Sequence, residues 1–351
     1  MNEFKPLPLV SFKQAVDESE QYLIDRREGK ITSLKTKFKK LNSVLMGGLE
    51  QNTITCISAR SGCGKSTLAK AIRNSINELN NLPIYTFVFN FEMLAKQQIA
   101  RELSTRLTKP LSVLYSTETR LSDEEFELVK YEYNRMRTLN PNIYFVEVSD
   151  NAMKIKNSLL HYYEKIVKPN KGILVYEIDH ALLTKGKEGD SEKDKVDKLM
   201  ESLVDLKKII ASDGGSSVGI VLSQMNRDIQ SVERVNNPAN HQPRSSDLFG
   251  SSSIEFAADY IIINHIPAKL GIKRYTELEL PCEYIHRKNG QIIKRELACY
   301  LHLIKNRSGE SDIIIPLENR LEFFDFEELP SEEFAKRHKQ LKTSQFVYVN
   351  H

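Results

Sequence analysis

The sequence predicts an α/β fold, with a mainly parallel central sheet flanked by helices and antiparallel hairpins towards its C-terminal side. Three observations predict it. The apolar run Ile54-Thr55-Cys56-Ile57 leads into a small-residue turn and then into the helical run Leu68-Ala69-Lys70-Ala71-Ile72-Arg73. Further β-rich runs, at Ile84–Phe89, Ile143–Val148, Ile173–Ile178 and Ser216–Leu222, alternate with stretches of helical periodicity, the pattern of strands buried on both faces. From Leu270 to Leu317 the text changes to hairpin-like alternation around a Lys288-Asn289-Gly290-Gln291 turn.

Composition narrows the class. The 351 residues suffice for one large α/β domain with appendages, or for two small domains. Charged residues make up 28% and apolar ones 40%, with no apolar run of membrane-spanning length and no basic-then-apolar leader, so a soluble, cytoplasmic protein is expected. The four cysteines (Cys56, Cys63, Cys282, Cys299) lack the paired spacing of a metal site and read as free thiols. A net charge of +3 says little, but its distribution says more: nine Lys/Arg face five Glu between His265 and Glu310, and three face seven acids between Glu318 and Arg337. A basic segment is followed by an acidic tail.

In order along the chain, residues 1–10 read as an extended arm. Apolar residues from Phe12 to Ile24 recur at helical spacing, and an amphipathic helix ahead of a domain must cover its apolar face, either with its own core or, the favoured reading, with a neighbouring subunit. Gly47-Gly48 ends a short helix before the first strand. The segment 95–140 reads as helical, with Ser122 and Glu125 at capping-box spacing. Helices are also expected at Met153–Val167 and Val196–Ile210, and a short one leads into a strand at Ile254–Ile263. A weak helix is expected at Ser331–Lys342 within the tail 318–351.

Ala59-Arg60-Ser61-Gly62-Cys63-Gly64-Lys65-Ser66-Thr67 reads as a phosphate-binding P-loop. Small residues leave backbone N–H groups bare to face phosphate, and the helix that follows aims its positive end at the same anion. Ser61, Gly62, Cys63, Gly64, Lys65, Ser66 and Thr67 are the phosphate candidates, with Lys65 reaching the β- and γ-phosphates and Ser66 holding Mg²⁺. Glu92 lies just past a strand neighbouring the P-loop strand, on the edge where such sheets bind ligands, and is the candidate general base. Asp179 ends the run Ile173–Ile178 in the Walker B manner and suits the metal better than Glu177, which sits inside the strand. Gln224, at a polar strand end, is placed to sense the γ-phosphate.

In this order the pieces resemble the motor domain of the DnaB-like replicative DNA helicases, the hexameric RecA-fold group of helicase superfamily 4. The resemblance runs from about Ile31 to Leu317. It rests on Ile31–Phe38 with Gly47-Gly48-Leu49, on the P-loop with Ala59 as its first residue, and on Phe89-Asn90-Phe91-Glu92-Met93. Leu222-Ser223-Gln224-Met225-Asn226-Arg227 resembles the sensor, Ser246-Asp247-Leu248 with Ser253–Glu255 and Ala258-Asp259 the DNA-facing loop and its helix, and Lys305-Asn306-Arg307-Ser308-Gly309 the finger. It implies a RecA-like ATPase motor at 31–317 behind an arm and linker-type helix at 1–30, using ATP and Mg²⁺. It implies a homohexameric ring that moves 5′ to 3′ on single-stranded DNA, with a primase or helicase loader as further partner and the cytosol of a bacterial, phage or plasmid-bearing host as its place. Glu92 would polarise the attacking water, and Lys305 and Arg307 would reach the nucleotide of the adjacent subunit. Where the family commonly has Arg-Glu after the Asp-Leu of its DNA-facing loop, this chain has Phe249-Gly250. The DNA-contact candidates are therefore the backbone of Phe249, Gly250, Ser251 and Ser252, with Arg244, Lys185 and Lys187. The stretch between Ile263 and Leu301 is longer than the family's usual connection and reads as a hairpin for a loader, a primase or DNA. Two other readings stay open: a RecA/RadA-like recombination ATPase, and a nucleotide-switched loader or regulator that unwinds nothing.

Overall fold

The computed structural model describes residues 9–186, 188–288, 291–330, 332 and 334–335. Its first element, α1 (Phe12–Arg27), is capped by the Ser11 hydroxyl and buries none of its residues. Its end is tied down where Tyr22 Oη donates to Glu50 Oε1 at 2.6 Å and Arg26 pairs with the same carboxylate. After α2 (Lys39–Val44) comes the frame of the domain: β1 (Thr53–Ala59), α3 (Lys65–Leu79), β2 (Ile84–Asn90), α4 (Ala95–Leu107), α5 (Leu111–Leu114), α6 (Asp123–Leu139), β3 (Ile143–Val146), α7 (Ala152–Tyr162), β4 (Ile173–Asp179), α8 (Glu192–Ser212) and β5 (Ser216–Gln224). Then follow α9 (Val232–Asn236), α10 (Ser251–Ala257) and β6 (Tyr260–His265). Two small hairpins, β7 (Arg274–Tyr275) with β8 (Leu280–Pro281) and β9 (Glu283–Lys288) with β10 (Gln291–Leu297), precede the last strands β11 (Cys299–Asn306), β12 (Ile313–Arg320) and β13 (Asp325–Glu328).

One nine-stranded sheet runs in the order β13-β12-β11-β6-β1-β5-β4-β2-β3. Strands β1 to β6 are parallel to one another, and β11 to β13 close the β6 side antiparallel. Every residue of β1 and β4 is buried, as their unbroken apolar character requires. One core packs α2 and α3 on the sheet through Leu41, Leu68 and Ile72; the other packs α7, α8 and α10 through Leu159, Leu203 and Ile254. The architecture is the expected α/β sandwich with a mostly parallel sheet.

Three expectations change. The strand that leads to Glu92, expected beside the P-loop strand, is β2, which β5 and β4 separate from β1. The helical segment 95–140 is three helices: Thr108 turns left-handed at φ 50° and Pro110, which has no N–H to donate, stands at the head of α5, while Ser122 starts α6 anew after a second break. The acidic tail does not begin at Glu318. Strand β12 continues to Arg320 and β13 extends the sheet to Glu328, with Phe326 fully buried. Its acids are neutralised locally: Lys37 Nζ lies 2.8 Å from Asp325 Oδ1 and 3.0 Å from Glu327 Oε1, and Glu328 accepts the backbone N–H of Lys40 at 2.9 Å. The tip Asn289-Gly290 and most of the helix expected at Ser331–Lys342 lie outside the described residues, as does the arm at 1–8. Among the described residues no helix is long and apolar enough to cross a membrane.

Candidate nucleotide site

Strand β1 delivers Ala59 to the turn beside the ends of β5 and β6, opposite Gln224 and Asn264. Gly62 at φ 74° and Gly64 at φ 81° carry the chain round, and Gly64 caps α3. A Cβ on Gly64 would lie 2.6 Å from Phe326 Cζ, so the turn is also packed against the C-terminal strand. Asn264 Nδ2 donates to the Cys63 carbonyl at 2.6 Å and fixes the back of the loop. Helix α3 therefore starts at Lys65-Ser66 with its first N–H groups open towards an anion.

Lys65 Nζ stands 3.9 Å from Asp179 Oδ1, at the end of β4. Burial pulls the Lys65 pKa down, while Asp179 and Glu92 pull it back up. Asp179 is 1% exposed, and neither of its oxygens accepts a hydrogen bond. A buried carboxylate left so is a fit for a divalent cation. Mg²⁺ needs only one or two protein ligands besides phosphate oxygens and water, and the Ser66 hydroxyl at the head of α3 would be the second. Glu177, two positions earlier, is spent otherwise: its Oε1 accepts from Arg73 of α3 at 3.1 Å, both side chains buried, and burial raises its pKa to about 6.

Glu92 is exposed on the wall of a cavity of about 430 Å³ that it shares with Ser66, Gln97, Arg101 and Tyr115. Arg101 is a residue that sequence reasoning missed. Its guanidinium lies 4.8 Å from the centroid of the Phe324 ring; burial lowers its pKa, and Asp179 and Glu92 act against that shift. The available signal was spacing, since Gln97 and Arg101 stand four apart on the helix that follows Glu92 and so share a face. His180 was also missed. It is 5% exposed, and burial together with Lys65 drives its pKa to about 4, so its ring is neutral and accepts from Gln224 Nε2 at 3.3 Å. Gln224 thus reaches the carboxylate end of β4 through a histidine.

Beyond Gln224 the chain folds back on itself. Phe249 N–H donates to the Gln224 carbonyl at 2.9 Å, Asn226 N–H donates to the Asp247 carbonyl at 2.7 Å, and Met225 bridges Leu248. Phe249 packs against the core, and Gly250, at φ 72° with a would-be Cβ 2.9 Å from Val196 Cγ1, starts α10 with Ser251 and Ser252. Arg244 Nη2 donates to Asn240 Oδ1 at 2.6 Å. Lys185 is bridged by backbone to the Asp150–Asn151 turn, and Lys187 lies outside the described residues.

Lys305 and Arg307 are not brought to this site. Lys305 stands opposite Ile261, which stands opposite Cys56, and Arg307 lies beyond it, towards the start of β1. At about 3.3 Å per residue, Arg307 is some 15 Å or more from the P-loop along the sheet. Lys305 Nζ is bonded to the Glu255 carbonyl. Arg307 Nη2 donates to the Phe256 carbonyl at 2.9 Å and Nε pairs with Asp259 Oδ1 at 3.2 Å.

Among solved structures, an isolated ATPase domain matches with a TM-score of 0.71 at 18% identity, covering 92% of this chain and 100% of that one. A DnaB-like replicative helicase, described with its interactions with primase, matches with a TM-score of 0.69 at 17% identity, covering 92% of this chain and 68% of that one. At such identity these matches establish the fold alone. No curated protein matches in sequence. The family profile of the DnaB-like helicase C terminal domain matches residues 33–328, most of the chain, and the protein belongs to that family of replicative-helicase-type ATPases.

Proposed function

We propose that this chain is the ATP-driven motor of a ring-shaped DNA helicase that translocates on single-stranded DNA, 5′ to 3′ as its family resemblance implies, with ATP hydrolysed between subunits. The observation that carries it is the division of the catalytic set. Lys65, Ser66, Asp179, Glu92 and Gln224 gather at one end of the sheet, while Lys305 stands at mid-strand and Arg307 towards the other end, both bonded to carbonyls of α10 and turned from their own P-loop. A nucleotide in this site lacks its outer cations until another copy supplies them. Helix α1 supports the same assembly, since Phe12 is 87% and Leu23 68% exposed and no described residue covers them.

In this reading the N–H groups of Ser61 to Thr67 and the Lys65 ammonium hold the phosphates, whose arrival supplies the counter-charge that Lys65 finds only partly in Asp179. Bound Mg²⁺ would neutralise charge on the β- and γ-phosphate oxygens. Glu92 orients the attacking water and takes its proton, and Lys305 and Arg307 of the adjacent copy stabilise charge on the transferred phosphoryl group. Gln224 passes the occupancy of the γ-phosphate position to the Asp247–Ser252 loop through the Phe249 hydrogen bond. That loop, with Arg244, Lys185 and Lys187, meets the DNA backbone without reading sequence. A primase is the partner suggested by the relative described with one.

The test is DNA-stimulated ATP hydrolysis. Lys65→Ala should abolish it and Glu92→Gln should lower it about 10²–10⁴-fold; full activity in both would sink the proposal. Arg307→Ala should lose about 10³-fold or more, and mixing it with Glu92→Gln should restore part of the activity, because some interfaces then carry an intact site. No rescue in mixed rings would rule out donation between subunits. The inward packing of Phe249 favours, as a second reading, a nucleotide-switched loader, which hydrolyses ATP yet leaves forked DNA paired.

A further inference from the structure

The P-loop turn is gripped from outside by one segment, the end of β6 and the 3₁₀ turn Pro267–Leu270 that follows it. Asn264, fully buried, donates through Nδ2 to the Cys63 carbonyl at 2.6 Å, and its Oδ1 accepts the Cys299 thiol at 3.0 Å, which fixes the way the amide faces. One residue earlier in the loop, the Gly62 carbonyl accepts from Lys269 Nζ. Among the described residues, Lys269 Nζ is also the sole atom outside Ser61–Cys63 within 4 Å of where a Gly62 Cβ would stand, at 3.4 Å. The grip is returned, since Arg60 Nη1 donates to the Lys269 carbonyl at 3.3 Å. Loop and turn therefore clasp each other, side chain to backbone, in both directions.

The outer half of the clasp stands on a firm base. Lys269 N–H donates to the Ile266 carbonyl at 3.1 Å and Gly271 N–H to the Ala268 carbonyl at 3.0 Å, which closes the turn. Ala268 and Leu270, on either side of Lys269, pack against the buried cluster of Ile272, Tyr275 and Tyr300. The bonds that this base makes set the direction of the loop's peptides. Both peptides are trans, and in a trans peptide the N–H points opposite to the carbonyl before it. With the Gly62 carbonyl on Lys269, the Cys63 N–H turns the other way and closes on the Arg60 carbonyl at 3.0 Å. With the Cys63 carbonyl on Asn264, the Gly64 N–H points away from β6, at the head of α3 where an anion is received. Donors aimed before the ligand arrives cost it no reorganisation, so whatever fixes these peptides raises affinity for phosphate.

We propose that Lys269 is a positioning residue for the nucleotide's phosphates: by holding the Gly62 carbonyl it keeps the P-loop in the form that receives them, without touching the nucleotide itself. The proposal rests on the nucleotide-site reading above. Its test uses the full chain with Mg²⁺ and measures the affinities of ADP and of a non-hydrolysable ATP analogue by displacement of a fluorescent ADP. Lys269→Met keeps the length of the side chain and removes the donor. It should weaken both nucleotides alike, by about 3- to 10-fold. The KM for ATP should rise by the same factor while kcat changes by less than about 2-fold, because the loop is held equally for ground state and transition state. Lys269→Arg, which keeps a cationic donor, should stay near the wild type. The urea midpoint of the nucleotide-free chain should be the same in all three, since Lys269 is exposed. Unchanged affinities in Lys269→Met would overturn the proposal. So would a loss for the ATP analogue alone, which would make Lys269 a direct ligand of the γ-phosphate, and so would a fall in urea midpoint, which would assign the clasp to folding. Lys65→Ala separates the two readings. If it binds both nucleotides as the wild type does, the nucleotide-site reading fails and takes this proposal with it; if it loses them while Lys269→Met keeps them, only the role of Lys269 falls.

Discussion

Gly64→Ala, taken with Phe326→Ala, tests whether the P-loop leans on the last strand of the sheet. Gly64 holds φ at +81°, and a Cβ there would sit 2.6 Å from Phe326 Cζ and 2.7 Å from Leu321 Cδ2. The substitution carries a backbone cost of about 1–2 kcal/mol for the left-handed conformation. It adds an overpacking cost of about 1–3 kcal/mol. Phe326→Ala removes a fully buried ring and should cost about 3–5 kcal/mol. The overpacking exists mainly while the Phe326 ring is in place, so the double variant should be less destabilised than the sum of the two by about 1–2 kcal/mol, Leu321 retaining the rest. Urea unfolding of the nucleotide-free chain reads this as shifts in midpoint at constant slope. A coupling within about 0.5 kcal/mol of zero would refute the claim that Phe326 braces the loop.

Two carboxylates on β4 should respond differently. Glu177→Ala strands buried Arg73 and should destabilise by about 3–5 kcal/mol in urea, while Asp179→Asn, whose pairing with Lys65 is long at 3.9 Å and whose oxygens accept no hydrogen bond, should destabilise less and should abolish ATP hydrolysis. His180 has its pKa lowered to about 4 from an ordinary value of 6.5, so its contribution to stability is complete above pH 6.5 and is lost as pH falls towards 4. In that window, wild-type stability should drop more steeply than that of His180→Gln, by up to about 1.4 kcal/mol per pH unit for the one proton concerned. Arg101→Ala should lower kcat about 10²-fold with a smaller change in ATP KM, because the side chain faces the cavity of Ser66 and Glu92; a change in KM alone would place it in ground-state binding.

Much of this site was legible because its chemistry is local in sequence. A strand, a glycine turn and a helix start are one continuous stretch, and strand-terminal Asp179 and Gln224 follow from where buried runs end. What was not legible depends on partners far along the chain. Arg101 matters because Phe324, 223 positions later, lies beside it, and the C-terminal strand was hidden because its acids looked like a tail until the Lys37 ammonium and the Lys40 backbone N–H met them. His180 was passed over since nothing beside it in sequence tells that burial will keep it neutral against Gln224. The break at Thr108–Pro110 was visible in the proline and was outweighed by the helical periodicity on either side.

Helix α10 joins the two halves of the proposed cycle. Its start is tied to its own nucleotide site, through the Phe249 N–H bonded to the Gln224 carbonyl and the Ser223 hydroxyl bonded to the Phe249 carbonyl at 3.3 Å. Its last turn is tied by Lys305 on the Glu255 carbonyl and Arg307 on the Phe256 carbonyl, cations that complement the negative end of a helix. A helix of seven residues has little stability of its own, so these ends decide whether it holds. In a ring, Lys305 and Arg307 cannot serve the neighbour's phosphates and α10 at once, and each charge-assisted bond given up is worth about 1.5–3 kcal/mol. ATP bound across the interface should therefore loosen the element that carries the DNA-facing loop. Hydrogen exchange at the amides of residues 251–258 should quicken when ATP analogue is added to wild-type rings. In Arg307→Ala it should already be fast without nucleotide and should respond less. Equal protection in all four samples would show that the finger does not hold α10 and that the DNA-facing loop answers to Gln224 alone.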